Sequence, residues 1–84
     1  MRKVPDEIDL HGKTVDEAVH LVDEFLHKAY KARVYRVWVI HGKGTGTLRR
    51  AMRDHITRHP LVARCATADG NRGGPGCTQV DMID

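Results

Sequence analysis

Hydrophobic and polar positions predict a strand and then a long helix in the first third of the chain. The segment from Glu7 to Leu10 alternates polar and apolar residues, which is typical of a short strand. Thr14 and Glu17 have the spacing of a capping box, which indicates a helix start. Helical spacing then continues to about residue 32. The apolar stripe comprises Val15, Ala18, Val19, Val22, Phe25, Leu26 and Ala29.

The rest of the chain predicts three more strands and one helix. The run Val34–Ile40 is almost continuously β-branched and aromatic, which predicts a central strand buried on both faces. A second amphipathic helix should end before Pro60, and residues 61–83 predict a hairpin around a glycine-rich loop. The order β-α-β-α-β-β predicts a single α/β domain over residues 1–84 (core 7–83), an α+β two-layer sandwich with a four-stranded mixed sheet. The second helix's apolar face comprises Leu48, Ala51, Met52, His55 and Ile56.

Charge is distributed unevenly along the chain. Residues 1–27 carry seven acidic and three basic residues, whereas residues 28–64 carry ten basic residues against Asp54 alone. This asymmetry favours a polyanionic partner, usually a nucleic acid. The alternative is an ordinary solvated surface on a basic protein, and charge alone leaves both interpretations open.

Composition bears on location and on the cysteines. No apolar stretch reaches the length of a membrane span, and no export-type apolar segment follows the basic start. We therefore expect a cytoplasmic protein that does not act in a membrane. Cys65 and Cys77 are expected to be free thiols, because structural disulfides are rare in reducing compartments.

All eight glycines fall in three predicted loops. The first two loops follow the first two strands. If those strands are parallel and joined by a right-handed crossover, both loops lie at the same edge of the sheet. His11 and His41 are then predicted to be neighbours.

The second loop, HGKGTG, has the features of a phosphate-binding turn. Its glycines let backbone N–H groups face an anion, and the helix that follows adds its positive end. The spacing matches neither the dinucleotide fingerprint nor a Walker loop, and glycines that only form a tight turn remain the alternative. The predicted phosphate-binding residues here are Gly42, Lys43, Gly44, Thr45, Gly46, Arg49 and Arg50.

Asp9 and His11 lie two residues apart on a strand end, so their side chains share a face. A carboxylate beside an imidazole prepares a general base, and His41 is the candidate general acid or phosphate-stabilising group. We expect no tightly bound cofactor. A loosely held Mg²⁺ or Mn²⁺ at Asp9 and His11, bridging protein and phosphate, remains open, although no second carboxylate completes a two-metal cluster.

Three segments resemble the signature blocks of the small MutS-related (Smr) domain: IDLHG, VIHGKGTGTLR and GGPGCTQV. The family patterns are roughly LDLHG, HGxGxGxLR and GGxGxTxV, and the resemblance covers residues 7–83. It is strongest to the Smr domain that ends the second bacterial MutS paralogue. The departures are mild: Ile8 for leucine, Pro75 in a variable position, and Gln79 for a β-branched residue.

The resemblance implies a fold similar to the C-terminal domain of bacterial translation initiation factor three. It also implies an endonuclease that nicks DNA or cleaves messenger RNA at stalled ribosomes. Asp9 and His11 would be the cleavage pair, His41 and the glycine loop would contact nucleic acid, and the last block would add Gly73, Gly74 and Gly76.

Implied partners are DNA or RNA, the ribosome, and MutS-like ATPase domains if the chain is the end of a longer protein. The sequence is therefore compatible with two functions: an endonuclease domain, and a non-catalytic nucleic-acid or ribosome-binding module. Few aromatic residues are present to stack on bases, so contacts should be mainly to the backbone and sensitive to salt. A small-molecule nucleotide binder is less well supported, because no adenine-pocket signature is present.

Overall fold

Two helices pack on one face of a four-stranded sheet in the computed structural model, which describes residues 4–84. The chain order matches the predicted β-α-β-α-β-β pattern, with two short 3₁₀ turns inside the last connection. The elements are β1 (Glu7–Asp9), α1 (Val15–Lys31), β2 (Arg36–Ile40), α2 (Thr47–Thr57), β3 (Val62–Thr67) and β4 (Cys77–Met82).

The sheet has the strand order β1-β2-β4-β3. β1 and β2 are parallel, as a crossover through α1 requires, and β4 is antiparallel to both β2 and β3. The predicted hairpin is therefore confirmed, although β4 inserts between β2 and β3. This placement brings the start of β4, and Gly76 just before it, against the loop that follows β2.

α1 begins where its capping box predicts. The Glu17 N–H donates to Thr14 Oγ1 at 3.2 Å, and the Thr14 N–H donates to Glu17 Oε1 at 2.9 Å. Five residues of the predicted apolar stripe are buried, whereas Val15 is exposed at the helix start. Each buried side chain of this kind stabilises the fold by about 1.5–3 kcal/mol relative to an exposed one. The buried five are Ala18, Val22, Phe25, Leu26 and Ala29.

β2 is central, as predicted, but the prediction that both of its faces are buried is wrong. Val37 and Val39 are fully buried against the helices, whereas Trp38 and Ile40 are only half-buried on the other face. Neither of the two helices within residues 4–84 covers that face. The Arg72 guanidinium lies 3.6 Å from the centre of the Trp38 ring and covers part of it. Because both faces of β2 carry large apolar residues, its sequence does not show that only one face packs against the helices.

A polar cluster joins the two helices. Asp23 of α1 lies 2.7 Å from His55 Nε2 of α2 and 3.5 Å from His59 Nε2. The Leu61 N–H donates to His59 Nδ1 at 3.1 Å. Burial is the main reason why the pKa of His59 lies below its ordinary value, even though Asp23 opposes the shift.

Cys65 and Cys77 are free thiols, as predicted. Neither helix in residues 4–84 combines the length and apolar character that crossing a bilayer requires.

Candidate nucleic-acid interface

The loops after β1 and β2 lie side by side at one edge of the sheet, as predicted. The Leu10 N–H donates to the Ile40 carbonyl at 2.6 Å, which continues the parallel ladder to the start of both loops. A Cβ placed on Gly42, where φ is +80°, would lie 3.4 Å from the Cβ of His11. The first two signature segments are thus in contact.

Asp9 and His11 form a hydrogen-bonded pair at this edge. His11 Nδ1 lies 2.6 Å from Asp9 Oδ1, and the His11 backbone N–H donates to the same oxygen at 3.1 Å. These hydrogen bonds hold the pKa of Asp9 below its ordinary value, so the carboxylate is the acceptor and Nδ1 carries the proton. Nε2 of His11 is left as the basic nitrogen. Both side chains are largely exposed, at 72% for His11 and 52% for Asp9.

A cavity of about 320 Å³ lies between the first residues of the two helices. Its walls are residues 12–15 at the start of α1 and residues 41–49, which include the glycine loop. Gly46 caps α2 with φ +85°, a conformation that favours glycine, and has no side chain to bond the first-turn N–H groups. The first turn of α2 also contains no acidic residue. The Thr47 N–H donates to Thr45 Oγ1 at 3.4 Å, but no acidic side chain offsets this helix end, so an anion in the cavity meets its positive end.

His41 occupies a different position from the one its predicted role requires. Its side chain is buried, with Nδ1 3.0 Å from the Gly42 carbonyl and Nε2 2.9 Å from Thr78 Oγ1. Because a carbonyl can only accept, Nδ1 carries the proton and Nε2 accepts from the hydroxyl. Burial, the largest cause, holds its pKa below the ordinary value and favours the neutral ring. With both nitrogens engaged, the geometry does not support His41 as a general acid.

The third glycine block lies behind the glycine loop rather than in the cavity. The Gly76 carbonyl accepts from the N–H groups of both His41 and Gly42, each at 3.0 Å. A Cβ on Gly76 would lie 3.4 Å from Lys43 Cγ and 3.5 Å from the Gly42 carbonyl carbon. Gly74 is also buried, and Gly73 turns the chain at φ +108°. Gly76 therefore supports the glycine loop from behind, while the binding role of Gly73, Gly74 and Gly76 stays a prediction.

Sequence reasoning missed two parts of the site. Thr78 lies in the third signature segment, GGPGCTQV, and its hydroxyl donates to Nε2 of His41, a role that the sequence pattern does not indicate. Arg53 lies in the same groove as Arg49 and Arg50, and it also lowers the pKa of His41 by its charge. The signal for Arg53 was its helical spacing of three and four residues from the other two arginines.

The fold is that of a Smr domain, and the chain belongs to that family: the Smr domain model matches residues 8–82. The chain is 45% identical over 82 residues to Endonuclease MutS2 of Clostridium tetani, covering 98% of the chain and 10% of that protein. It is 42% identical over 83 residues to Endonuclease MutS2 of Caldicellulosiruptor saccharolyticus, covering 99% and 10%. The chain thus spans about 10% of the length of these relatives.

Two crystal structures are similar over most of the chain. The Smr domain of Thermus thermophilus MutS2 has a TM-score of 0.90 at 39% identity, covering 94% of this chain and 99% of that one. YdaL, a stand-alone small MutS-related protein from Escherichia coli, has a TM-score of 0.89 at 25% identity, covering 94% and 65%. These similarities confirm the resemblance and the predicted fold.

Proposed function

We propose that this domain is an endonuclease domain that cleaves phosphodiester bonds in RNA or DNA. The observation that carries the proposal is the 2.6 Å Asp9–His11 pair, which lies beside the glycine loop, with His11 Cβ 3.4 Å from where a Cβ on Gly42 would be, although neither residue lines the cavity. The name Endonuclease MutS2, borne by relatives at 45% and 42% identity, supports the same activity.

His11 is the general base in this proposal, and Asp9 is its positioning partner. Asp9 holds the proton of the ring on Nδ1 and stabilises the imidazolium that forms when Nε2 takes a proton. The backbone of the glycine loop, Lys43 and Arg49 hold the scissile phosphate and stabilise its developing negative charge. His41 acts indirectly, because its two hydrogen bonds keep the loop in shape.

The chemistry depends on the nucleophile. In RNA, the 2′-OH gives its proton to His11 Nε2 and forms a bond to phosphorus while the bond from phosphorus to the 5′-oxygen breaks. The departing oxygen takes a proton from water, and a cyclic phosphate remains. In DNA, water gives its proton to the same nitrogen and forms a bond to phosphorus, while the bond from phosphorus to one ester oxygen breaks and that oxygen takes a proton from a second water.

A divalent ion fits this site only in a substrate-bridging manner. Asp9 is the carboxylate of the pair, and its Oδ1 already accepts two hydrogen bonds from His11. Magnesium commonly binds through one carboxylate together with water and substrate phosphate oxygens, so Asp9 would hold Mg²⁺ or Mn²⁺. The ion would supply charge stabilisation at the phosphate.

A non-catalytic binding module is the second candidate, favoured by the solvent exposure of the Asp9–His11 pair. General bases and their partners gain most when water is excluded, and this pair lies open. In that case the basic surface would deliver MutS-like ATPase domains to DNA, or the domain to a ribosome.

A cleavage assay separates the two candidates. Wild type, His11→Ala and the control His20→Ala, which changes an exposed residue of α1, are compared on single-stranded RNA and on supercoiled plasmid. Each substrate is tested with EDTA, Mg²⁺ or Mn²⁺. We expect His11→Ala to lose roughly 10²–10⁴-fold in rate with unchanged affinity. A wild type that binds in a salt-sensitive manner yet cuts neither substrate would establish the binding module instead.

A further inference from the structure

A second basic groove adjoins the glycine loop along α2. It has a volume of about 490 Å³ and lies between α2 and β3. Arg49 lines both this groove and the cavity of the glycine loop, so the two are continuous. The other lining residues are Arg50, Arg53, Asp54, Thr57 and Thr67.

The arginines of this groove differ from most others in the chain. Among residues 4–84, Arg36, Arg58, Arg64 and Arg72 each lie within 4.0 Å of a carboxylate oxygen, whereas the three groove arginines do not. Asp54, the acid that lines the groove, pairs with Arg58. Within the described residues, no carboxylate neutralises the three groove arginines. Their guanidinium groups therefore repel one another.

The guanidinium of Arg53 is also held in place. Its Nη1 donates to Thr67 Oγ1 of β3 at 3.3 Å, which directs the side chain across the groove. Arg49 and Arg53 are four residues apart and share a face of α2. From Thr47 to Arg53 the helix rises about 9 Å, which corresponds to roughly two or three phosphates of one strand along a duplex.

The geometry points to a second subsite: the groove binds backbone phosphates of the same nucleic-acid strand, through Arg50 and Arg53, beyond the phosphate held by the glycine loop. This inference rests on the proposed function and extends it. The enzyme or binding module contacts a strand segment running along α2, with Arg49 between the two subsites. Because the contacts are ionic, the subsite recognises the backbone and not the base sequence.

The test is the binding of labelled single-stranded oligonucleotides of about 4 and about 16 nucleotides. Anisotropy titrations from ~50 to ~200 mM salt compare wild type with Arg53→Gln. The matched control Lys31→Gln makes the same charge change at the far end of α1, about 24 Å along the helix from Val15. Arg53→Lys keeps the charge, and thermal unfolding verifies that each variant folds.

We expect Arg53→Gln to weaken binding of the long oligonucleotide several-fold, to reduce the steepness of its salt dependence by about 0.7, and to spare the short one. Lys31→Gln should match wild type, and Arg53→Lys should restore the steeper salt dependence. Equal losses on both lengths would place Arg53 in the first cavity and overturn the second subsite.

Failure of this inference is distinguishable from failure of the proposed function. If Arg53→Gln behaves like Lys31→Gln while wild type still binds and cleaves, the groove is no subsite and the proposed function stands. If wild type binds neither oligonucleotide at ~50 mM salt, both fail together.

Discussion

The two helices of this domain begin at the same edge of the sheet, yet their starts are built in opposite ways. α1 is closed by its own side chains, through the Thr14–Glu17 capping box and two acidic residues in its first turn. α2 begins at Gly46, which has no side chain to cap it; the Thr47 N–H makes one long bond, 3.4 Å, to Thr45 Oγ1, and the first turn has no acidic residue. The start of α1 is stabilised by its own side chains, whereas the start of α2 is available to an anion.

The loop before α2 is stabilised instead by contacts with β4 and with the residue that precedes it. His41 and Gly42 both donate to the Gly76 carbonyl, and His41 also bonds Thr78 of β4. The glycine loop is therefore held by residues far along the chain, whereas the start of α1 is held by residues within one helical turn.

Thr78→Val should cause the largest loss of stability. It leaves the buried Nε2 of His41 without its donor, which costs about 1–3 kcal/mol in the free energy of unfolding. The control is Thr67→Val, because Thr67 is the exposed cross-strand neighbour of Thr78. Urea unfolding measures both variants. Equal effects at the two positions would show that the His41 hydrogen bond does not hold the loop.

Lowering the pH should destabilise the fold through two buried histidines. Burial holds the pKa of both His41 and His59 below the ordinary value of 6.5 in the folded state. The unfolded chain therefore binds more protons, and stability is fully present above pH 6.5 and falls as the pH decreases through it. Each group contributes at most about 1.4 kcal/mol per pH unit.

Urea unfolding between pH 8 and pH 5 measures this slope. His41→Gln should flatten it, whereas His20→Gln, which changes an exposed residue of α1, controls for removing a histidine. An identical slope in wild type and His41→Gln would contradict the buried neutral state of His41.

Thr14→Ala removes the side-chain cap of α1 and should lower the free energy of unfolding by about 1 kcal/mol. The residue is exposed, so the loss reflects the cap and not packing. Urea unfolding measures the loss, and an unchanged free energy of unfolding would mean that the capping box does not stabilise α1.

The contrast between the two starts also explains what the sequence predicts well. The capping box of α1 lies within four residues, so its pattern was readable. The parallel strands and the contact between the first two loops follow from general rules of chain connection. The order of elements and the Asp9–His11 pair were predictable because each depends on residues that lie close together in the sequence.

Support for the second start was not readable, because it comes from residues far along the chain. The hydroxyl that fixes His41 lies 37 residues away, and the supporting carbonyl belongs to Gly76. Without that contact, a histidine beside a glycine loop suggests acid catalysis, and a third glycine block suggests more phosphate binding. The open face of β2 was missed similarly, since Trp38 has the same sequence signature whether a layer covers it or not.

Thr47→Glu gives the start of α2 the acidic character that α1 already has. An acid in the first turn should stabilise the helix by about 0.3–1 kcal/mol. The same charge should repel a phosphate from the cavity, so stability rises while nucleic-acid affinity falls. Thr47→Gln is the neutral control at this exposed position. Compared with Thr47→Gln, Thr47→Glu should raise the free energy of unfolding and lower the nucleic-acid affinity. Urea unfolding and anisotropy titrations measure the two effects. If Glu stabilised the fold without weakening binding, the phosphate would not lie at the start of α2.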